Sequence, residues 1–108
     1  MAYITIDDFY EKADSCTVLT RNQEKECFER MKNGNPDARR QLIESYMPVV
    51  AAHLKHLRLN RNKLSLALYC LQALEKAVDS FDFSQDSETF SHRLSWYLRQ
   101  TVTEYIVK

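Results

Sequence analysis

The sequence is poor in residues that make turns, with one glycine and two prolines among 108 residues. This composition excludes turn-rich β-sandwiches and barrels and favours helices. An excess of one charge is also missing, because 15 basic residues balance 15 acidic ones and the formal net charge is zero. Proteins that bind DNA strongly on their own usually carry a basic excess. Balanced charge therefore argues against strong independent DNA binding and favours a subunit of a larger assembly.

Cysteines are few, and long hydrophobic runs are absent from the sequence. The three cysteines are odd in number and lack paired metal-ligand spacing, so we expect reduced thiols in a cytoplasmic protein. No apolar run reaches the ~18 residues of a membrane span. His53 and His56 lack further ligands nearby, and no phosphate-binding loop or nucleophile motif is present. The sequence predicts a protein that is not an enzyme, with no cofactor and no metal site.

Local signals divide the chain into four main helices and a short N-terminal one, which predicts an all-α bundle of four to five helices. Thr5 and Thr20 are placed to cap the first two helices. Gly34 is placed to end the second helix, because glycine adopts the left-handed conformation found after helix ends. Asn35 and Pro36 open the third helix.

The later helices carry weaker boundary signals. Pro48 lies inside the third helix, which should reach about Leu57 and bend near residues 44–47. The fourth helix is predicted over about residues 63–81, after a polar loop over residues 58–62. Asp86 or Ser87 is predicted to cap the last helix.

Residues 90–106 are the most informative segment, because as a helix they have two different faces. One face is an apolar stripe for a core, made by Leu94, Leu98, Thr101, Val102 and Tyr105. The other face combines rings, guanidinium groups, an amide and a hydroxyl, which are groups that stack on bases and bind their edges. It consists of His92, Arg93, Trp96, Arg99, Gln100 and Thr103. The alternative is that Trp96 fills a second core and its neighbours are ordinary solvated residues.

Several blocks of the sequence, in the right order, resemble bacterial sigma factors over roughly residues 19–106. Phe90-Ser91 followed by residues 95–100 and Thr103 is similar to the family's melting and promoter-reading helix. Residues 73–82 resemble its Gly-Leu-x-Lys-Ala-Val-x-x-Phe-Asp block, and residues 34–50 resemble its Gly-(Asn/Asp)-x-x-Ala-Arg and Tyr-Leu-Pro-x-Val blocks. The resemblance implies a sigma region 2-like helical domain over residues 19–108, after an N-terminal extension over residues 1–18.

The resemblance also implies DNA contacts on the last helix. Trp96 and Tyr97 would stack on the unpaired strand of the promoter −10 element, and Gln100 and Thr103 match positions that read its upstream end. Arg93 stands where the family usually has an aromatic residue. The predicted DNA-binding residues are His92, Arg93, Trp96, Tyr97, Arg99, Gln100 and Thr103.

The fourth helix departs from the family. Sigma factors there use Asp, Gln, Glu and Asn to grip a coiled coil on the clamp of RNA polymerase, and this chain has Ser65, Leu68, Tyr69 and Leu71 instead. A helix that is apolar on nearly all sides must be buried on more than one of them. We therefore predict that one side of this helix forms a protein interface. The predicted partner-binding residues are Leu64, Ser65, Leu68, Tyr69, Leu71 and Gln72. The alternative is that the chain's own N-terminal residues cover this face, namely Tyr3, Ile4, Ile6, Phe9 and Tyr10.

Two functions follow from these observations. The first is a sigma-like transcription protein that works with the RNA polymerase core or a dedicated protein partner and contacts −10 promoter DNA within that assembly. If Lys108 is the natural end of the protein, the chain cannot recognise a two-part promoter unaided, and one arrangement is a two-chain sigma factor whose other half reads the −35 element. The second is a sigma-derived regulator that docks a partner or forms a homodimer through the fourth helix and does not read DNA. Neither function involves a membrane.

Overall fold

The computed structural model describes residue 3 and residues 5–57, 63–82 and 89–107. These residues form five α-helices and no strand: α1 (Ile6–Ser15), α2 (Arg21–Lys32), α3 (Pro36–Lys55), α4 (Lys63–Ser80) and α5 (Phe90–Val107). α3 packs against α1, α2 and α4, and α4 also packs against α1 and α5. The predicted all-α bundle is confirmed.

The first three helices begin where local sequence signals predict. Thr5 and Thr20 each form a capping box, in which the threonine side chain accepts a hydrogen bond from the backbone N–H three residues on. The Asn35 side chain accepts from the backbone N–H groups of residues 37 and 38, with Pro36 in the first turn. Gly34 has a φ of +91°, the left-handed conformation predicted for the end of α2.

The boundaries of the later helices agree less fully with the sequence signals. Pro48 lies inside α3 as expected, and the bend near residues 44–47 stays a prediction. The predicted polar loop over residues 58–62 lies outside the described residues. Asp86 and Ser87, the predicted caps of the last helix, also lie outside them. At the start of α5, Thr89 Oγ1 accepts a hydrogen bond from the His92 backbone N–H at 3.2 Å, so Thr89 is the capping residue.

The helices enclose one core in which aromatic rings join several elements. The Phe90 ring at the start of α5 lies 5.4 Å from the rings of Phe28 in α2 and Phe81 after α4, measured between centroids. Tyr46 of α3 contacts the same Phe90 ring at 4.8 Å. These contacts fix the beginning of α5 against three other parts of the chain.

α1 contributes to the same core, since Phe9 and Ala13 are fully buried. Lys12 Nζ also lies 3.3 Å from a carboxylate oxygen of Glu44 in α3. The division of the chain into an extension over residues 1–18 and a domain over residues 19–108 stays a prediction. In the described part of the chain, none of the helices has the length and hydropathy needed to cross a membrane.

Candidate functional site

The buried stripe of α5 determines which side chains its opposite side presents to solvent. Leu94, Leu98 and Val102 are buried against the rest of the bundle, as the periodicity predicted. Trp96 lies on the opposite side and is 58% exposed. The alternative in which Trp96 fills a second core is therefore wrong. We call the predicted DNA-binding residues of this helix the α5 face.

Trp96 and Tyr97 are neighbours with different environments. Their rings meet edge to face, with centroids 5.3 Å apart and an interplanar angle of 88°. Tyr97 is half-buried, and its hydroxyl lies 3.3 Å from the Ser80 hydroxyl at the end of α4. Tyr97 therefore supports the Trp96 ring from one side, while Trp96 offers the larger free ring surface for stacking.

Arg93 sits where α5 meets the end of α4. It is half-buried, and its guanidinium carbon lies 5.7 Å from the centroid of the Phe81 ring, within the range of a cation–π contact. Together with His92, Trp96 and Tyr97, it lines a shallow depression of about 340 Å³. A planar aromatic group seated there would meet one large exposed ring and one cation.

The second half of the α5 face is polar and open. Arg99, Gln100 and Thr103 are all exposed. The Thr103 hydroxyl donates a hydrogen bond to the Arg99 backbone carbonyl at 2.9 Å, as threonine side chains within helices commonly do to the carbonyl four residues earlier. Its proton is thus used within the helix, and toward a ligand Thr103 offers an acceptor and a methyl group. Gln100 can both donate and accept, so it is better suited to reading a base edge.

Tyr46 of α3 contacts the first turn of α5 and helps to hold it in place. Its hydroxyl donates to a Glu24 carboxylate oxygen at 2.7 Å and lies 3.4 Å from the Ser91 hydroxyl in the first turn of α5. Burial raises the pKa of Tyr46 to about 12, and the hydrogen bond to Glu24 contributes in the same direction. The neutral hydroxyl is therefore the stable form, and it links α2, α3 and α5.

A second surface lies on α4. Leu68 is 41% exposed and Tyr69 is 52% exposed, Gln72 is exposed, and Leu64, Ser65 and Leu71 are half-buried. The opposite side of the helix is buried, and burial raises the pKa of the Cys70 thiol there to about 12. Cys70 is thus the small core residue that an apolar helix requires. We call the six predicted partner-binding residues the α4 face.

The N-terminal residues that the structure describes leave the centre of the α4 face exposed. Phe9 is buried in the core, and Tyr3, Ile6 and Tyr10 pack against it. Ile4 lies outside the described residues. For the described N-terminal residues, the alternative in which they cover the fourth helix is therefore wrong at Leu68 and Tyr69, which stay exposed.

The α4 and α5 faces are separate surfaces on neighbouring antiparallel helices. Tyr97 meets Ser80 at the end of α4, whereas Tyr105 near the end of α5 lies 6.0 Å from the Tyr69 ring in the first half of α4. Ser80 and Leu68 are about 18 Å apart along α4 at 1.5 Å per residue. The Tyr97 end of the α5 face is therefore offset along α4 from Leu68 of the α4 face.

Comparison with known proteins shows similarity to a bacterial sigma factor. No protein-family model matches the chain. RNA polymerase sigma factor SigA of Clostridium acetobutylicum is 32% identical over 111 aligned residues, which cover 95% of this chain. The chain is a sigma-factor-like region. It spans 28% of that relative's length.

Some contacts of this sigma-factor-like region were not found from the sequence. The contacts between Arg93 and Phe81 and between Tyr97 and Ser80 depend on how α5 lies against the end of α4, and no spacing within either helix indicates them. The Thr103 hydrogen bond and the Thr89 cap are local. A threonine placed just before an apolar helix could have indicated the cap.

Proposed function

We propose that this chain is a sigma-like transcription protein that acts with RNA polymerase, alone or as one half of a two-chain sigma factor. Its α5 face would contact the unpaired strand of the −10 promoter element. The exposed Trp96 ring, held edge to face by Tyr97 and flanked by Arg93, Gln100 and Thr103, is the observation that carries the proposal. The identity to the sigma factor SigA supports it.

The chemistry of the α5 face fits an unpaired base better than duplex DNA. A base that has left its stack can lie on the Trp96 ring, and such stacking contributes about 1–3 kcal/mol. Arg93 brings a cation to the same depression, and Gln100 lies one helical turn further on to read an edge. With zero net charge, the chain has little electrostatic attraction for duplex phosphates.

RNA polymerase would bind the α4 face in this proposal. The polar residues with which sigma factors grip the polymerase clamp are replaced, so the contact would depend on burying Leu68 and Tyr69. Each could contribute roughly 1.5–3 kcal/mol before ordering costs. An apolar surface of this kind could serve a hydrophobic contact with the clamp.

A double substitution on the α5 face tests the DNA contact. We expect Trp96→Ala with Gln100→Ala to abolish transcription from a promoter that depends on the wild-type chain, because it removes the stacking ring and the amide. The measurement is in vitro transcription with RNA polymerase core and the full chain. The matched control is Ile106→Ala, which truncates another exposed apolar residue of α5 about 15 Å further along the helix.

The control variant should retain wild-type transcription. Polymerase binding should survive in both variants, because the α4 face is unchanged. Full transcription by the double variant would contradict the proposed DNA contact.

The second candidate function is a sigma-derived regulator that binds a protein and does not read DNA. The exposure of the adjacent Leu68 and Tyr69 favours it, because contiguous exposed apolar side chains mark interaction sites. Co-purification with RNA polymerase separates the two functions. Recovery of polymerase subunits supports the first, and recovery of another protein without polymerase supports the second.

A further inference from the structure

The Arg93 side chain is held against the core at the start of the α5 face. It is half-buried, and its guanidinium carbon lies 5.7 Å from the centroid of the Phe81 ring. That ring is itself buried and packs against Phe28 and Phe90, so the surface under the guanidinium belongs to the core. Arg99 of the same helix is exposed. A guanidinium stacked on a fixed ring loses less freedom on forming hydrogen bonds than an exposed one does.

The contact with Phe81 is compatible with binding of a ligand by Arg93. A guanidinium carries five N–H donors in one plane, and stacking on a ring uses the face of that plane and not its donors. Arg93 lines the depression of about 340 Å³ together with His92, Trp96 and Tyr97. A flat ligand with two neighbouring hydrogen-bond acceptors on one edge matches such donors best.

We propose that this depression selects guanine as the unpaired base, an inference that rests on the proposed function. Arg93 would donate two hydrogen bonds to O6 and N7 of a guanine stacked on Trp96, because the geometry of arginine matches that edge. Adenine has an amino group in place of O6, so a donor of Arg93 would face another donor. A pyrimidine lacks the O6/N7 edge and offers Trp96 a smaller ring for stacking.

Gln100 favours the same base from the other side of Trp96. Arg93 precedes Trp96 by three residues, about 4.5 Å along the helix, and Gln100 follows it by four, about 6 Å. A guanine that turns O6 and N7 towards Arg93 turns its 2-amino group towards Gln100, whose side-chain oxygen can accept a hydrogen bond. Guanine is the one DNA base that carries this amino group.

The fluorescence of Trp96 gives a direct test, because it is the only tryptophan in the chain. Short single-stranded thymidine oligonucleotides, with guanine, adenine, cytosine or thymine at the central position, are titrated into the isolated full chain at low salt. The titrations extend to about 1 mM, because single-strand binding by the free chain is weak. The dissociation constant is taken from the midpoint, since different bases quench tryptophan to different extents. The guanine oligonucleotide should bind at least about fivefold more tightly than the adenine one.

Modified bases identify the groups that are read. 7-Deazaguanine has a carbon in place of N7, so it should lose most of the advantage over adenine that Arg93 provides. Hypoxanthine lacks the 2-amino group and should lose a smaller part, which belongs to Gln100. In Gln100→Ala, guanine and hypoxanthine should therefore bind with equal affinity.

Variants of Arg93 test the residue itself. Arg93→Lys keeps the charge and loses the planar pair of donors, so the preference for guanine over adenine should fall below about twofold. Arg93→Gln should prefer adenine, because a glutamine amide matches the N6/N7 edge of that base. The matched control Arg99→Gln removes the same charge from an exposed position outside the depression and should keep the guanine preference. Circular dichroism confirms that each variant stays helical.

The possible failures have different meanings. Equal affinity of the wild type for guanine and adenine would overturn the selection of guanine, and so would a guanine preference that survives both Arg93→Lys and Arg93→Gln. Either result leaves base stacking on Trp96, and with it the proposed function, standing. No fluorescence change with any oligonucleotide would overturn the inference together with the stacking contact, which transcription by the Trp96→Ala and Gln100→Ala double variant tests separately.

Discussion

At the scale of single residues, Tyr46 of α3 connects its helix to both α2 and α5. Its hydroxyl reaches Glu24 of α2 and Ser91 of α5, and its ring packs on Phe90. Because burial raises the pKa of Tyr46 to about 12, its ionisation is coupled to folding. The ordinary pKa of tyrosine is about 10, so the unfolded chain loses this proton first.

The sign of this coupling gives a pH prediction. Between pH 10 and about 12 the folded protein keeps a Tyr46 proton that the unfolded chain gives up, so the contribution of Tyr46 to stability is full below pH 10 and falls as the pH rises through this range. The loss is at most about 2–3 kcal/mol. Tyr46→Phe should cost about 1–3 kcal/mol at pH 7 and make the alkaline loss shallower. Urea unfolding at several pH values from 7 to 11 measures both effects.

A control separates the effect of Tyr46 from that of Cys70, another buried acid. The pKa of Cys70 is also raised to about 12 by burial, so Cys70→Ala removes its share of the alkaline loss and leaves the share of Tyr46. Equal pH slopes for the wild type and Tyr46→Phe would show that Tyr46 does not ionise in the way its burial implies.

At the scale of elements, local contacts could be predicted and contacts between helices could not. Thr5, Thr20 and Asn35 cap their helices through partners two or three residues away, so the sequence alone contains the signal. The side of α5 that faces the core could also be predicted, because its apolar residues repeat with the helix period. The position of Arg93 over Phe81 depends on how α5 lies against α4, and no local pattern specifies it.

At the same scale, we predict that α1 is needed for the stability of the bundle. Phe9 is fully buried, so Phe9→Ala should destabilise the protein by about 3–5 kcal/mol, as core phenylalanine truncations do. Glu11→Ala, at an exposed position of the same helix, should change stability by less than about 0.5 kcal/mol. Urea unfolding measures both. A cost below about 1 kcal/mol for Phe9→Ala would mean that α1 is an independent extension.

At the scale of the whole molecule, the all-α architecture could be predicted because glycine and proline are so rare. The exposure of Trp96 and of Leu68 could not be predicted from the sequence. A large apolar residue on the second side of a helix can be covered by another part of the chain or by a partner, and the sequence pattern is the same in both cases. Only the packing of the neighbouring helices, which leaves both residues open, decides between them.

The charge balance of the whole molecule predicts weak DNA binding in isolation. With 15 basic and 15 acidic residues, the free chain has no net attraction for phosphates. We expect the isolated chain to bind a single-stranded −10 oligonucleotide no more tightly than about 1 µM at physiological salt, the tight end of the non-specific range. Fluorescence anisotropy measures this, and added RNA polymerase should tighten binding. Submicromolar binding by the free chain would contradict the need for an assembly.

The aromatic contacts at Phe90 fix the first residue of α5, so a change in the angle of this helix displaces its residues in proportion to their distance from Phe90. Thr103 lies thirteen residues beyond Phe90, about 20 Å along the helix. A tilt of α5 by 10° at Phe90 would move Thr103 by roughly 3–4 Å, enough to lose a hydrogen bond. Trp96 lies about 9 Å from Phe90 along the helix and would move less than half as far. The angle of α5 is therefore held by Phe28, Tyr46 and Phe81 at its start and by the buried Leu94, Leu98 and Val102 along its length, none of which lies on the α5 face.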